Sequence, residues 1–275
     1  MKKNIVKSRL LRLMVYFSAA ITMGALLFLV GYILVKGVPH LSLDLFSFTY
    51  NSENVSLFPA LVNTLTMTAL SLLIAAPLGV FSAIYLVEYA KKRNKFVSAV
   101  RITSETLAGI PSIVYGLFGY LLFVSALGWG YSLLAGAFTL AIMILPIIMR
   151  TAEEALKSVP DVYREGSFGL GAGKLRTIFK IVLPAAVPGI LAGIVLSIGR
   201  IVGETAALIY TAGTVAQIPK NVMGSGRTLS VHMFALWNEA MNADQSYATA
   251  VVLLLIVIGL NALSSTIAKK IGKGN

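Results

Sequence analysis

The sequence predicts an all-α integral membrane protein with six transmembrane helices, and three observations carry that class. Of the 275 residues, 57% are apolar and only 12% charged, about half the charged fraction a soluble domain needs to cover its surface. The apolar residues gather in six runs long enough to cross a bilayer, at roughly 13–35, 61–89, 102–127, 131–149, 187–213 and 246–268. The basic residues are one-sided: 19 of the 23 Lys and Arg fall in residues 1–12, 91–101, 150–180 and 269–273. The positive-inside rule places those four segments, and with them both termini, on the cytoplasmic side. The net charge of +12 therefore reports membrane topology. A nucleic-acid surface would not be divided among segments separated by membrane spans.

The first twelve residues form a cytoplasmic tail, and the run after them is too long for a signal-peptide core and has no convincing small-x-small cleavage site before Lys36. It is read as a retained first span. Residues 37–58, with Pro39, His40, Asp44 and several aromatics, form an ordered or partly helical external cap. The second span is rich in Thr and Ser and carries Pro77-Leu78-Gly79, which a helix tolerates when neighbours satisfy its backbone, so it belongs inside a bundle. Lys91-Lys92-Arg93-Asn94-Lys95 closes it on the cytoplasmic face.

The third span, with Gly109-Ile110-Pro111-Ser112, is expected to be one kinked, closely packed helix, with Arg101 and Glu105 as a local ion pair near its cytoplasmic end. Trp129 and Tyr131, beside the turn into the fourth span, suit an interfacial aromatic belt. Residues 214–245 form an external segment in which Arg227 is expected to be solvated, the other reading being that it steers an anion, and 269–275 form a cytoplasmic tail. The spans from 13 to 268 make one six-span membrane domain with no detachable soluble domain.

Between the fourth and fifth spans lies EGSFGLGAGKLRTIFKIVLP, residues 165–184. Leu170, Leu175, Ile178, Phe179 and Val182 recur at helical spacing around a cluster of glycines, which reads as a short helix, a tight turn and a second helix stopped by Pro184. An amphipathic pair protruding from a membrane protein has no core of its own. Its apolar stripe belongs either in a groove on another subunit or on lipid headgroups.

Inside the fifth span, Arg200 and Glu204 stand four residues apart in SIGRIVGET. Charges at that depth cost about 3 kcal/mol each and are kept where they face a partner or a watery path. Two readings stay open: a structural salt bridge that fixes packing, or a guanidinium fork that meets an oxyanion and is held in place by the glutamate. The absence of cysteine removes disulfides and thiolate metal sites. His40 and His232 lie apart, without ligand spacing, so no metal site is expected. No Walker lysine loop, HExxH or GxSxG is present, and no catalytic residue is expected.

Residues 165–184 resemble the EAA loop of ABC-importer permeases, E-A-A-x3-G-x9-I-x-L-P, through Glu165, Gly171, Ile181, Leu183 and Pro184, with Gly166 and Ser167 in place of the two alanines. The resemblance implies the type I (MetI-like) permease fold, with a core over about 60–268, and a coupling helix at 165–184 that docks on a cytoplasmic ATPase. LAGIPSIVYGLFG at 107–119 and GRIVGETAALIYTAG at 199–213 are similar to signature stretches of phosphate-specific Pst importer permeases, closer to the PstA than the PstC type. That resemblance implies a plasma- or inner-membrane subunit that passes inorganic phosphate near Arg200, Glu204 and Thr205. It also implies a PstC-like permease partner, two PstB-like ATPases that bind ATP and Mg, and a PstS-like binding protein, with no cofactor on this chain. The alternatives are the PstC-like role itself or a permease for another oxyanion.

Overall fold

The computed structural model describes residues 2–91, 95–238 and 242–272. Lys92-Arg93-Asn94, expected to close the second span, and the last three residues of the basic tail lie outside them. Every described helix follows from an apolar run or an amphipathic pattern, and the ends fall where glycine, proline or polar side chains interrupt. In chain order these are α1 (Lys2–Gly37), α2 (Phe58–Ile84), α3 (Lys95–Ala108), α4 (Ser112–Gly119), α5 (Leu133–Lys157), α6 (Asp161–Gly169), α7 (Lys174–Thr177), α8 (Leu183–Val202), α9 (Ala206–Thr211), α10 (Leu229–Asn238) and α11 (Ala243–Gly272).

Five helical segments are long and apolar enough to span a membrane, or six when α3 and the helix after it are taken as one bent span. The core is built on α5, which packs against α2 and α8. Met67 of α2, Leu140, Met143, Ile144 and Ile148 of α5, and Ile201 of α8 meet there, almost wholly enclosed. The hydroxyls of Thr64, Thr66, Thr68 and Ser71 donate to carbonyls four residues back along α2, so this polar-looking helix carries no unmet donor into the bundle. By contrast α1 packs along α11 and leaves its apolar face exposed, as suits a helix whose solvent is lipid.

Residues 37–58 are ordered and partly helical, as expected. Two short 3-10 turns, Val38–His40 and Leu43–Phe46, fold down so that Leu45 and Leu57 pack with Ala60 and Leu229.

Three expectations need correction. The third span is not one kinked helix: α3 and α4 are separated at 109–111 and meet at 103°. Pro111 has no N–H to continue the ladder and disfavours helical angles at the residue before it, and the Leu107 carbonyl accepts instead from the Ile110 N–H (3.1 Å) and the Tyr115 hydroxyl (2.8 Å). The fifth span is not one helix over 187–213, because α8 ends at Val202 and α9 begins at Ala206. Pro184 does not stop the second loop helix. The Leu183 N–H reaches the Ile178 carbonyl, five residues back, and over this widened turn α7 runs into α8 as one rod from Lys174 to Val202.

The Arg101–Glu105 pair is also absent. The Arg101 guanidinium instead lies 2.6 Å from Glu153 of α5, which Lys157 approaches equally closely. A carboxylate already enclosed in the bundle attracts the arginine more strongly than one in solvent does.

Candidate translocation site and docking loop

The two stretches that carry the phosphate-permease resemblance are the two broken spans, and the fold packs them together. At Gly116 of α4 an added Cβ would stand 2.8 Å from the Ala207 Cα of α9. Only a residue without a side chain lets these backbones approach so closely. Discontinuous helices at membrane depth leave backbone carbonyls and N–H groups open to a path, which continuous helices do not.

Arg200 lies in the last turn of α8, where the carbonyl end of the helix favours a cation. Its side chain is half-buried, and among the described residues it makes no ion pair or hydrogen bond. Its charge reaches Tyr115 of α4 across the packed break.

The expected partnership with Glu204 does not form, because the helix ends between them and the four-residue register is lost. After Val202 the chain turns through Gly203, and the Glu204 carboxylate accepts the Ala207 N–H (3.1 Å) at the start of α9. Glu204 is thus a buried helix cap, and Ser230 donates to its main-chain carbonyl. Thr205 stands on the other side of the break. It lines a largely apolar cavity of about 810 Å³ with Ala206, Ile209, Tyr210, Trp237 and Tyr247. Neither Arg200 nor Glu204 lines that cavity, so the three residues surround the break without forming one pocket.

The loop between the fourth and fifth spans, the candidate docking loop, is two helices with an apolar face outward. Val162, Tyr163, Phe168, Leu170, Leu175 and Phe179 are all exposed, and Leu170 is 91% exposed. Gly171 sits at φ +81°, and the Ala172 N–H returns to the Ser167 carbonyl (3.1 Å), which closes α6 with a left-handed residue that glycine supplies at little strain. Glu165 is exposed, and Ile181, Leu183 and Pro184 are half-buried where the rod enters the bundle.

Sequence reasoning missed how this loop is fixed to the bundle. Arg164, one residue before the motif, donates Nε and Nη2 to the Glu88 carboxylate (3.1 and 2.8 Å). It also donates to the Leu156 and Val159 carbonyls at the end of α5 (3.0 and 2.8 Å) and to Asp161 (3.1 Å). The Lys174 ammonium lies 4.6 Å from the centre of the Tyr89 ring, so both loop helices are tied to the turn that ends the second span. Ser167, in the second small position of the motif, shares a 2.8 Å hydrogen bond with Thr177 and joins α6 to α7. Glu88 and Arg164 stand 76 residues apart, beyond any local spacing rule.

Arg227, expected in solvent, is 4% exposed, with the Tyr50 ring 4.7 Å from its Cζ. His232 is enclosed beside it, and burial, then the Arg227 charge, lowers its pKa to about 3. Groups of three or more metal-ligating side chains do not occur among the described residues.

Residues 75–274 match the family of binding-protein-dependent transport system inner membrane components. A probable ABC transporter permease protein, YqgI of Bacillus subtilis, is 34% identical over 92% of this chain and 93% of its own length. The phosphate transport system permease protein PstA of Pasteurella multocida is 37% identical over 81% of this chain and 82% of its own. PstA 1 of Mycobacterium tuberculosis is 37% identical over 76% and 69% respectively.

Among solved structures, a bacterial alginate ABC transporter superposes with a TM-score of 0.65 at 17% identity, covering 94% of this chain and 96% of the other. The MetNI methionine ABC transporter in an inward-facing conformation gives 0.62 at 20% identity, covering 78% and 94%. At those identities the likeness shows the fold, which is that of MetI-like importer permeases. With the family match over most of its length, this chain belongs to the inner-membrane permease components of binding-protein-dependent ABC importers.

Proposed function

We propose that this chain is a PstA-type permease subunit of an ATP-driven phosphate importer. The observation that carries this reading is Arg200: a guanidinium without a carboxylate partner among the described residues, in the last turn of a candidate membrane span where two interrupted helices meet. An arginine in that setting offers two parallel donors to a tetrahedral oxyanion, and the negative end of α8 moderates its charge so that the anion is released again. The relatives named as phosphate transport permeases support phosphate as that anion. Glu204 holds the start of α9, and Thr205 supplies a hydroxyl at the break.

The expected assembly is a heterodimer with a PstC-like permease, two PstB-like ATPases below, and a PstS-like binding protein above. ATP and Mg bind on the ATPases, and both termini of this chain face them. The exposed apolar face of α6 and α7 suits a groove on an ATPase. Closure of the ATPases would then move Glu165, Gly171 and the loop helices, and through the rod the residues around Arg200.

The reading is tested by uptake of labelled phosphate into proteoliposomes that hold all four components. Uptake is expected to require ATP and binding protein, to be lost with Arg200→Gln in an intact complex, and to be lost with the ATPase dissociated in Gly171→Asp. Import of sulfate or molybdate in preference to phosphate would transfer the chain to another oxyanion. Uptake without any ATPase would overturn the importer reading.

A further inference from the structure

The outer end of the molecule holds a second arginine whose environment asks for an anion. The return loop after α9 pins Arg227 by its main chain: its N–H donates to the Val215 carbonyl (2.9 Å), and its own carbonyl accepts from Asn63 Nδ2 (3.1 Å). Its side chain has no such security. Nε and Nη2 are enclosed with no hydrogen-bond partner, and among the described residues no carboxylate pairs with it. Both nitrogens of His232 and the Asn63 Oδ1 are enclosed in the same way, and the Val55 backbone approaches the imidazole without the alignment of a full hydrogen bond.

One side chain covers the cluster from outside. The Tyr50 ring faces the Arg227 guanidinium and meets the His232 ring edge-on, with centroids 6.1 Å apart. Tyr50 belongs to the external cap, which returns to α2 through Val55 at φ +46°. A β-branched residue in the left-handed region is strained and is held there only by its surroundings. An enclosed guanidinium without a counter-charge is also unfavourable. Two unfavourable features stacked on one another mark a cover that is poised to open.

We propose that Arg227 is an oxyanion-receiving site at the outer mouth of the path, covered at rest by Tyr50 and uncovered when residues 41–57 lift. Arg227 supplies the paired donors, and His232 and Asn63 line the site. The carboxylates of the cap, Asp44 and Glu53, form no ion pair with Arg227. Thr228 and Ser230 lead inward from it, and Ser230 is bonded to the Glu204 carbonyl at the break beside Arg200. A phosphate released by a binding protein would therefore meet Arg227 first. The proposal rests on the phosphate-importer reading for the identity of the anion, but not for the site.

The chain has no cysteine, so Thr228→Cys, buried beside Arg227, gives it a single reporter, followed in the assembled four-component complex with any cysteines of the other components replaced. Its modification by anionic and cationic membrane-impermeant thiosulfonates of matched size is timed at rest and after trapping with loaded binding protein, ATP and vanadate. Protection at rest is expected, then a rise of about tenfold or more on trapping, with the anionic reagent faster by about tenfold. Arg227→Gln should abolish that preference and Arg227→Lys should keep it. If Arg227→Gln does not assemble, Tyr50→Ala takes its place: it should open the site at rest and keep the preference for the anionic reagent. No change on trapping, or an opened site without charge preference, would overturn the proposal while leaving phosphate uptake by the wild type intact. Loss of phosphate specificity in the wild type, with the charge preference preserved, would overturn only the choice of anion.

Discussion

Arg164 lies in the loop helix α6 and Arg200 in the last turn of the membrane helix α8, and the two arginines are treated in opposite ways. Arg164 is saturated by two carboxylates and two main-chain carbonyls drawn from three parts of the chain. Arg200 has the end of a helix and an unfilled fork. The difference separates two uses of one residue type. A guanidinium whose donors are all engaged fixes geometry, here the angle between the docking loop and the bundle. One whose donors are unengaged is available to something that arrives and leaves. Arg227 extends the series to a third case, in which the fork is unengaged but covered.

Substitutions at these positions can break the comparison. Arg164→Met leaves the Glu88 carboxylate enclosed without its partner and is expected to cost about 4 kcal/mol of stability, seen as a lowered Tm with weakened ATPase association. Adding Glu88→Met should return most of that loss, because two apolar residues replace a buried pair at little cost. Failure of the double variant to recover would mean that the carbonyl contacts of Arg164 dominate.

Arg200→Gln should leave Tm almost unchanged and lower uptake by roughly 100-fold, the worth of a charged hydrogen bond made to the passing anion. An equal loss of stability at both positions would erase the distinction between joint and path.

The covered arginine is sharpened by pH. His232 titrates at about 3 in the folded protein against 6.5 unfolded, so the unfolded chain binds the extra proton between those values. Stability is then full above pH 6.5 and falls as pH drops toward 3, with about 2 kcal/mol gone by pH 5. His232→Gln should flatten the fall in Tm over that interval. The smallest expected effect is Ser167→Ala, about 1 kcal/mol for the hydrogen bond to Thr177, measurable as faster proteolysis of the docking loop.

The long spans, the partly helical segment at 37–58 and the helix–turn–helix pattern of the loop at 165–184 were legible in the sequence because each rests on periodicity or composition within one stretch. What escaped it depends on distance or direction. A run of apolar residues has the same hydropathy whether or not Gly203 interrupts it, so the fifth span read as one helix and Glu204 as the partner of Arg200. Pro111 was visible, but the 103° turn it permits is set by the packing of α4 against α9. Arg227 read as solvated because Tyr50 and Asn63, which enclose it, are far away in the chain. Glu88 was not singled out, for the same reason: its partner Arg164 is 76 residues away.

The rod from Lys174 to Val202 has one further consequence. Its first turns carry the exposed Leu175 and Phe179, and Arg200 stands about 39 Å along it. Each residue of a helix advances the angle by about 100°, so the direction in which Arg200 points is counted from the docking face, residue by residue. A single alanine inserted between Pro188 and Gly199 would leave hydropathy and every motif untouched, yet turn the arginine through more than a quarter of a circle. In this stretch the number of residues is itself a specification, as strict as the identity of any one of them.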